Sequence, residues 1–158
     1  MSAPTIHASC VLVGACGVLV RGPSGRGKSG FADALVLSAQ AHGTFARHVA
    51  DDRVCLSARG ARLVAQPPTA LAGLWERRGL GIVAVAHEAR AIVRLIVDLV
   101  PAETCARLPD PGEDVARLEG IALPRLCIAS PPSQLDVARV LRLAAGGERH
   151  GVRAPPPA

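Results

Sequence analysis

The sequence carries Gly22-Pro-Ser-Gly-Arg-Gly-Lys-Ser29, which fits the phosphate-binding template G-x-x-x-x-G-K-[ST] at every fixed position. Glycines have no Cβ and can adopt positive φ angles, so the loop can turn its backbone N–H groups inward. Those donors, with the positive end of a following helix, can cradle the β-phosphate of a nucleotide. The candidate nucleotide-binding residues are Gly22, Pro23, Ser24, Gly25, Arg26, Gly27, Lys28 and Ser29.

The flanking sequence supplies the elements that such a loop needs. Residues 16–20 form a short apolar, β-branched run, which predicts a strand. Residues 28–41 predict a helix that ends near Gly43. A strand, a glycine loop and a helix in this order predict a nucleoside-triphosphate site, and the alternative is a glycine-rich surface turn.

Composition bounds the class of protein. The 158 residues, 49% of them apolar and only three of them aromatic, predict one domain over residues 1–145 with an aliphatic core. Residues 146–158, which end in a proline run, are expected to form a disordered tail. The five cysteines stand singly and are odd in number, which favours reduced thiols and a cytoplasmic location.

Charge and hydropathy exclude two kinds of partner. The net charge is +5, but the basic residues are scattered and no aromatic residues interleave them, so we expect no nucleic-acid binding. The longest apolar run, residues 91–100, contains Arg94 and Asp98 and is too short for a membrane span. We therefore expect no membrane partner.

A pair of acidic residues follows a predicted strand. Residues 6–13 predict a strand with His7 near its start, and residues 16–20 return as its hairpin partner. Residues 45–50 predict another strand, which ends at Asp51-Asp52. Because successive side chains of a strand point to opposite faces, one carboxylate should point into the site while the other caps a turn or bonds the backbone. The alternative is an ordinary Asp-Asp turn.

The remaining chain is richer in strands than in helices. A hairpin is predicted over residues 53–57 and 62–65, and further strands over 82–85, 91–100 and 123–128. An amphipathic helix is predicted over residues 135–145. The other segments are expected to be a short turn or helix at 70–75, a charged loop at 76–81 and irregular chain at 101–117. The pattern predicts an α/β protein with a β-rich core.

Three motifs together resemble the catalytic domain of HPr kinase/phosphorylase, in particular its short single-domain bacterial form. They are the glycine loop, Ala-Asp-Asp at 50–52 and Glu-Arg-Arg-Gly-Leu-Gly-Ile at 76–82. His7 and Leu-Pro-Asp-Pro at 108–111 also match, so the resemblance covers about residues 6–144. Many unrelated enzymes share the first motif, whereas the other two are far more specific. The resemblance implies a P-loop-containing fold related to that of the phosphoenolpyruvate carboxykinases.

The resemblance also implies an activity. It indicates an ATP- and Mg²⁺-dependent transferase, a protein-serine kinase that phosphorylates HPr, the small phosphocarrier protein of the sugar phosphotransferase system. It further implies the reverse reaction, in which inorganic phosphate attacks phosphoserine and pyrophosphate is released.

Catalytic roles are carried over residue by residue. Asp51 corresponds to the family's catalytic aspartate, which would accept the serine proton in the forward reaction and return it in the reverse one. Lys28 would stabilise the charge that develops on the phosphates. His7 matches a histidine that opens the family's first strand near the active site.

Metal and partner contacts are carried over in the same way. Ser29 and Glu76 would hold Mg²⁺, and Asp52 would be the structural or metal-linked neighbour of Asp51. Arg78 matches an arginine of the family's signature loop and would face phosphate or the partner protein.

Two departures from the family's pattern limit what carries over. Gly30 stands where an acidic residue often follows the loop, and residues 129–133 lack the arginines that the long enzymes use in phosphorolysis and in subunit contacts. The kinase direction is therefore better supported than the phosphorylase direction, and a homo-oligomer remains open. The alternatives are a P-loop small-molecule kinase and a non-catalytic nucleotide-binding regulatory module.

Overall fold

A computed structural model of the chain describes residues 4–146, which form a mixed β-sheet with α-helices against it. Within these residues the strands are β1 (Thr5–Ile6), β2 (Ala8–Val13), β3 (Cys16–Arg21), β4 (Ala46–Ala50), β5 (Val54–Arg59), β6 (Arg62–Gln66), β7 (Leu74–Arg77), β8 (Gly81–Ala84), β9 (Ala91–Pro101), β10 (Val115–Leu118) and β11 (Ile121–Ser130). The helices are α1 (Lys28–Ala41), α2 (Gln134–Ala144) and two 3₁₀ turns, Thr69–Leu71 and Ala102–Thr104.

The main sheet is built around β9. In the described part of the chain its strand order is β1-β5-β6-β9-β3-β2-β4. Strand β11 also pairs with β9, and β10 pairs with β11. Strand β3 runs parallel to β9 on one side, whereas β6 pairs with the first residues of β9 and β11 with its last residues. β9 is apolar on both faces because both are covered: Leu95 and Val97 belong to one buried cluster, Val93 and Ile96 to the other.

The helices cover one face of the sheet. Phe31 and Leu35 of α1 and Val137 and Val140 of α2 are buried in the same cluster as the inner side chains of β3 and β9. Burying such side chains contributes about 1.5–3 kcal/mol each relative to exposure. This packing fixes α1, and with it the glycine loop, against the sheet.

Strand directions bring four segments to one edge of the sheet. β3, β9 and β11 are parallel, so the glycine loop after β3 and residues 130–133 after β11 lie at the same edge. Strand β2 is antiparallel to both β3 and β4, so its first residues lie at that edge too, with Ser9 opposite Val20 and Cys10 opposite Ala50. The acidic pair after β4 and His7 before β2 therefore meet the loop.

Several predicted elements are confirmed. The helix over residues 28–41 has the predicted bounds, and Gly43 just beyond it adopts a φ of 78°. The hairpins β2–β3 and β5–β6 form in the predicted places. The predicted helix at 135–145 is α2, shifted by one residue, and it begins with a capping box between Ser133 and Asp136.

Three predictions about segments were only partly right. The charged loop at 76–81 is largely a β-hairpin, because Glu76 and Arg77 belong to β7 and pair with β8 around a short turn. The short turn or helix expected at 70–75 is present at residues 70–73, as the end of a 3₁₀ turn and a following turn, whereas Leu74 and Trp75 lie in β7. The irregular chain at 101–117 contains a 3₁₀ turn and the start of β10, which pairs with β11.

Other expectations concern the termini, the thiols and the membrane. The expected tail at residues 146–158 lies almost wholly outside the described residues. All five cysteines are free thiols. Between residues 4 and 146, no helix is long and apolar enough to cross a membrane.

Candidate functional site

The glycine loop leads from β3 into α1 through positive φ angles. Gly27 precedes the helix with a φ of 86°, and Gly22 has a φ of 154°. A Cβ at Gly22 would lie 2.6 Å from the carbonyl oxygen of Leu99, so the position requires glycine. The first turn of α1 holds no acidic side chain, which leaves the positive end of the helix dipole and its first amides directed at the loop. This arrangement suits a phosphate.

Lys28 makes hydrogen bonds to the backbone of the glycine loop. Its Nζ donates hydrogen bonds to the carbonyl oxygens of Gly22 (2.8 Å) and Pro23 (3.0 Å). Burial lowers the pKa of Lys28, while the nearby Asp52 and Asp51 act in the opposite direction. A phosphate in the loop would add negative charge beside Nζ and favour the ammonium form.

Asp51 is buried, with 6% of the residue exposed, and both of its carboxylate oxygens are engaged. Oδ1 accepts hydrogen bonds from the hydroxyls of Ser9 (2.7 Å) and Ser29 (2.8 Å), and Oδ2 accepts one from the backbone N–H of Glu76 (2.9 Å). Asp51 thus joins β2, α1 and β7 and fixes the direction of the Ser29 hydroxyl.

Asp52 has the opposite environment. Its φ of 63° is left-handed, a conformation that aspartate tolerates better than most residues, and 62% of its side chain is exposed. Oδ1 lies 3.0 Å from Nε2 of His7, whose side chain is 41% exposed. The two side chains form a pair at the wall of the cleft described next.

A cleft of about 860 Å³ lies over the glycine loop. Its floor is the start of α1, and residues 130–133 form part of its rim. Ser130 Oγ donates to the carbonyl oxygen of Arg26 (3.2 Å), which ties that rim to the loop. The other polar side chains of the predicted site that line the cleft are those of His7, Asp52, Glu76 and Arg78.

The structure places the two members of the acidic pair in different surroundings. From the sequence, Asp51 is expected to be the catalytic aspartate and Asp52 its structural or metal-linked neighbour. Asp51 instead lies against the hydroxyl of Ser29, whereas Asp52 faces the open cleft with His7. Alternation along the chain places the two carboxylates on opposite sides, as expected, but the buried side belongs to Asp51.

The donors near the loop fit a magnesium ion that accompanies a nucleotide. Ser29 offers a hydroxyl and Asp51 a carboxylate, and the carboxylate of Glu76 reaches the same cleft. Mg²⁺ prefers oxygen ligands and is held by one or two protein groups together with substrate phosphates. No cluster of three or more His, Cys, Asp or Glu side chains within residues 4–146 could hold a metal ion by itself.

Four residues around the site were not predicted from the sequence. Asp33 of α1 accepts hydrogen bonds from His48 and Arg77, and the indole N–H of Trp75 donates to the carbonyl oxygen of Ser29 (3.2 Å). One signal was available: Asp33 follows Ser29 by four residues, so both lie on the same face of α1. Nothing local in the sequence indicates the partners.

Comparisons with known proteins identify the family of the chain. The family model described as "HPr Serine kinase C-terminal domain" matches residues 1–127. Two HPr kinase/phosphorylases from Limosilactobacillus reuteri, of strain DSM 20016 and of subspecies reuteri strain JCM 1112, are each 36% identical over 135 residues. The match covers 78% of this chain but 40% of each of those proteins, so the chain spans less than half the length of these curated relatives.

A solved structure shows the same architecture. The Hpr(Ser) kinase/phosphatase from Coxiella burnetii superposes with a TM-score of 0.73 at 25% identity, over 91% of this chain and 90% of that one. The match confirms a mixed α/β fold, and the family match confirms the resemblance that the three motifs indicated. The chain belongs to the HPr serine kinase C-terminal domain family.

Proposed function

We propose that this chain is an ATP- and Mg²⁺-dependent protein kinase that phosphorylates a serine of an HPr-type phosphocarrier protein. The observation that carries the proposal is the hydrogen bond between Ser29 and Asp51, 2.8 Å long, which joins the phosphate loop to the acidic pair at the edge of one cleft. The names of the relatives support the same activity.

The phosphates of ATP would occupy the glycine loop. The free amides at the start of α1 and the ammonium of Lys28 would bind the β- and γ-phosphates, and Lys28 would exchange its two carbonyl contacts for phosphate oxygens. Ser29 and Asp51 would hold Mg²⁺, with Glu76 within the same cleft. When bound, the ion neutralises charge on the phosphates.

Asp52 would accept the proton of the substrate serine. Its carboxylate is exposed to the cleft, whereas the oxygens of Asp51 already accept three hydrogen bonds. His7 would hold the Asp52 carboxylate in place through the 3.0 Å contact. The serine oxygen would then attack the γ-phosphorus in line with the departing ADP. By microscopic reversibility, protonated Asp52 would return the proton in the reverse reaction.

A protein substrate explains the rim of the cleft better than a small molecule does. Leu80, which lines the cleft, is 73% exposed, and Ile82 beside it is 65% exposed. Exposed apolar side chains grouped beside an active site are typical of protein-binding surfaces. Arg78 lines the same part of the cleft and adds a positive charge for an acidic or phosphorylated partner.

Membership of the family supports further proposals about location, fold relationship, assembly and the reverse reaction. We place the reaction in the cytoplasm, relate the fold to that of the phosphoenolpyruvate carboxykinases, and keep a homo-oligomer open. Phosphorolysis is the less supported activity, because residues 130–133 form the rim of the cleft and contain no arginine.

The test is incubation of the chain with purified HPr-like carriers, Mg²⁺ and γ-labelled ATP, followed by excess inorganic phosphate. We expect label on a serine of one carrier. Label that then leaves as pyrophosphate would establish phosphorolysis, and label that stays would restrict the enzyme to the forward direction. ATP binding without any labelled carrier would contradict the proposal and favour a regulatory module, whereas a labelled metabolite would favour a small-molecule kinase.

A further inference from the structure

The β7–β8 hairpin does not belong to the main sheet. Its two strands pair only with each other in the described part of the chain, so no strand ladder fixes it to the sheet. The hairpin nevertheless supplies Glu76, whose backbone N–H binds Asp51, and Arg78, which lines the cleft. The chain just after β8 is linked to β4 by one backbone hydrogen bond, from Glu88 to His48, and the buried Trp75 packs in the core. Polar side-chain contacts add to these in fixing the end of β7.

Asp33 makes the largest set of such contacts. Its Oδ2 accepts a hydrogen bond from Nε of Arg77 (3.0 Å), and its Oδ1 accepts one from Nη2 of Arg77 (3.1 Å). This fork-to-fork geometry fixes distance and orientation together. Because Arg77 lies between Glu76 and Arg78, the pair anchors α1 to the part of the hairpin that faces the cleft.

His48 gives Asp33 a second link to the hairpin. Its Nε2 lies 2.8 Å from Oδ1 of Asp33, and its ring meets the ring of Trp75 edge-on at 4.4 Å between centroids. Burial raises the pKa of Asp33, but hydrogen bonds from Arg77 and His48 outweigh it and hold the pKa below its ordinary value. The carboxylate is therefore ionised at neutral pH and only accepts, so Nε2 carries the proton.

A hydrogen bond from Trp75 also links the hairpin to the end of the glycine loop. The indole N–H of Trp75 donates to the carbonyl oxygen of Ser29, and Ser29 lies one helical turn before Asp33. Asp33, His48, Trp75 and Arg77, which we call the hairpin anchor, thus connect α1 and β4 to one face of β7, because Trp75 and Arg77 are two residues apart in the strand. Asp33 and Arg77 also line the cleft, but none of the four residues belongs to the glycine loop.

We propose that Asp33 is a positioning residue that holds the β7–β8 hairpin against α1, so that the amide of Glu76 stays on Asp51 and Arg78 stays in the cleft. The inference rests on the proposed kinase function and deepens it. Asp33 sets the rate of phosphoryl transfer, and the glycine loop sets the affinity for ATP.

The kinetic test uses Asp33→Asn and Arg77→Met, singly and together. A misplacement of about 1 Å can cost 10²-fold in rate, so we expect each single variant to lower kcat about 10- to 100-fold, with the KM for ATP within about twofold. The double variant should lose little beyond the worse single variant, because both remove one contact. An unchanged kcat, or a KM for ATP that rises as kcat falls, would overturn the proposal.

A second measurement needs no activity. Trp75 is the only tryptophan, and there is no tyrosine, so intrinsic fluorescence reports the hairpin directly. In Asp33→Asn we expect red-shifted emission and amide exchange at Glu76 that is faster by about tenfold or more. If the wild-type chain phosphorylates no carrier, the proposed function fails, while faster exchange still supports the positioning role. Unchanged emission and exchange would overturn it.

Asp136→Asn is the matched control. Asp136 also accepts a hydrogen bond from an arginine, Arg139 (3.4 Å), but it lies on α2 outside the anchor. The control should leave Trp75 emission, Glu76 exchange and kcat unchanged. If it alters them as Asp33→Asn does, the effects come from general loss of stability, and the positioning role is wrong.

Discussion

Two carboxylates, the half-buried Asp33 and the buried Asp98, have cationic or ring N–H partners and lie in different surroundings. Asp33 binds Arg77 and His48, and Asp98 binds Arg21 and Arg125. Burial raises the pKa of each, but the hydrogen bonds from their partners hold both pKa values below the ordinary range. Both carboxylates are therefore ionised and held by arginine, Asp98 by two and Asp33 by one together with a histidine; the clusters differ most in what each one connects.

The Asp98 cluster connects strands that are already paired. Asp98 stands opposite Arg21 in the ladder between β3 and β9, and opposite Cys127 in the ladder between β9 and β11. The Asp33 cluster instead connects α1 to a hairpin that has no ladder to the main sheet. The comparison teaches that one arrangement of charges can serve stability in a sheet and position in a hairpin.

The largest expected effect is the loss of stability in Asp98→Ala. Removing this carboxylate, 8% exposed, takes the shared ion-pair partner from the part-buried guanidinium groups of Arg21 and Arg125. Breaking a buried ion pair costs about 3–5 kcal/mol in free energy of unfolding. Urea unfolding measures it, and a loss under about 1 kcal/mol would show that the cluster does not stabilise the sheet.

Lowering the pH should remove part of the stability that the ionised Asp33 and Asp98 carboxylates provide. Aspartate in an unfolded chain titrates near a pKa of about 3.9, and the folded values of Asp33 and Asp98 lie lower. The unfolded chain therefore binds more protons as the pH falls through about 4, so the contribution is intact above about pH 5 and is lost below.

Asp98→Asn tests whether the stability provided by Asp98 falls as the pH is lowered. The difference in free energy of unfolding between the wild-type protein and the variant should shrink as the pH is lowered from about 7 to about 3. Urea unfolding at a series of pH values gives the difference directly. A difference that grows on acidification would contradict the lowered pKa.

The smallest expected effect is the coupling between the two clusters. Asp33 and Asp98 share no hydrogen-bond partner among the contacts described above. The losses of stability in Asp33→Asn and Asp98→Asn should therefore add to within about 0.5 kcal/mol in the double variant. A larger coupling energy would mean that the hairpin and the sheet are not independent.

Local signals explain what the sequence could predict. The glycine loop and the bounds of α1 follow from neighbouring glycines, a lysine and a serine, so they are readable without the fold. The segments that were not predicted are two local hairpins, β7–β8 and β10–β11. Their first strands, β7 and β10, are four residues long and contain charged side chains, so they lack the apolar, β-branched run that predicts a strand.

The candidate site, too, could be predicted from the sequence only in part. Adjacent aspartates predict opposite directions, but only the positive φ of Asp52 and the hydroxyls of Ser9 and Ser29 decide which one is buried. The hairpin anchor brings together residues from α1, β4 and β7. Side chains 44 positions apart, as in Asp33 and Arg77, cannot be paired from spacing alone.

The most direct test of the account compares Asp52→Asn with Asp51→Asn in two assays, Mg²⁺-dependent ATP binding and phosphoryl transfer to the carrier. Asp52→Asn should bind MgATP within about twofold of the wild-type protein and transfer phosphate about 10²- to 10⁴-fold more slowly, because it loses a general base. Asp51→Asn should weaken the Mg²⁺-dependent part of ATP binding. Full transfer by Asp52→Asn, with loss of transfer but not of binding in Asp51→Asn, would contradict the account.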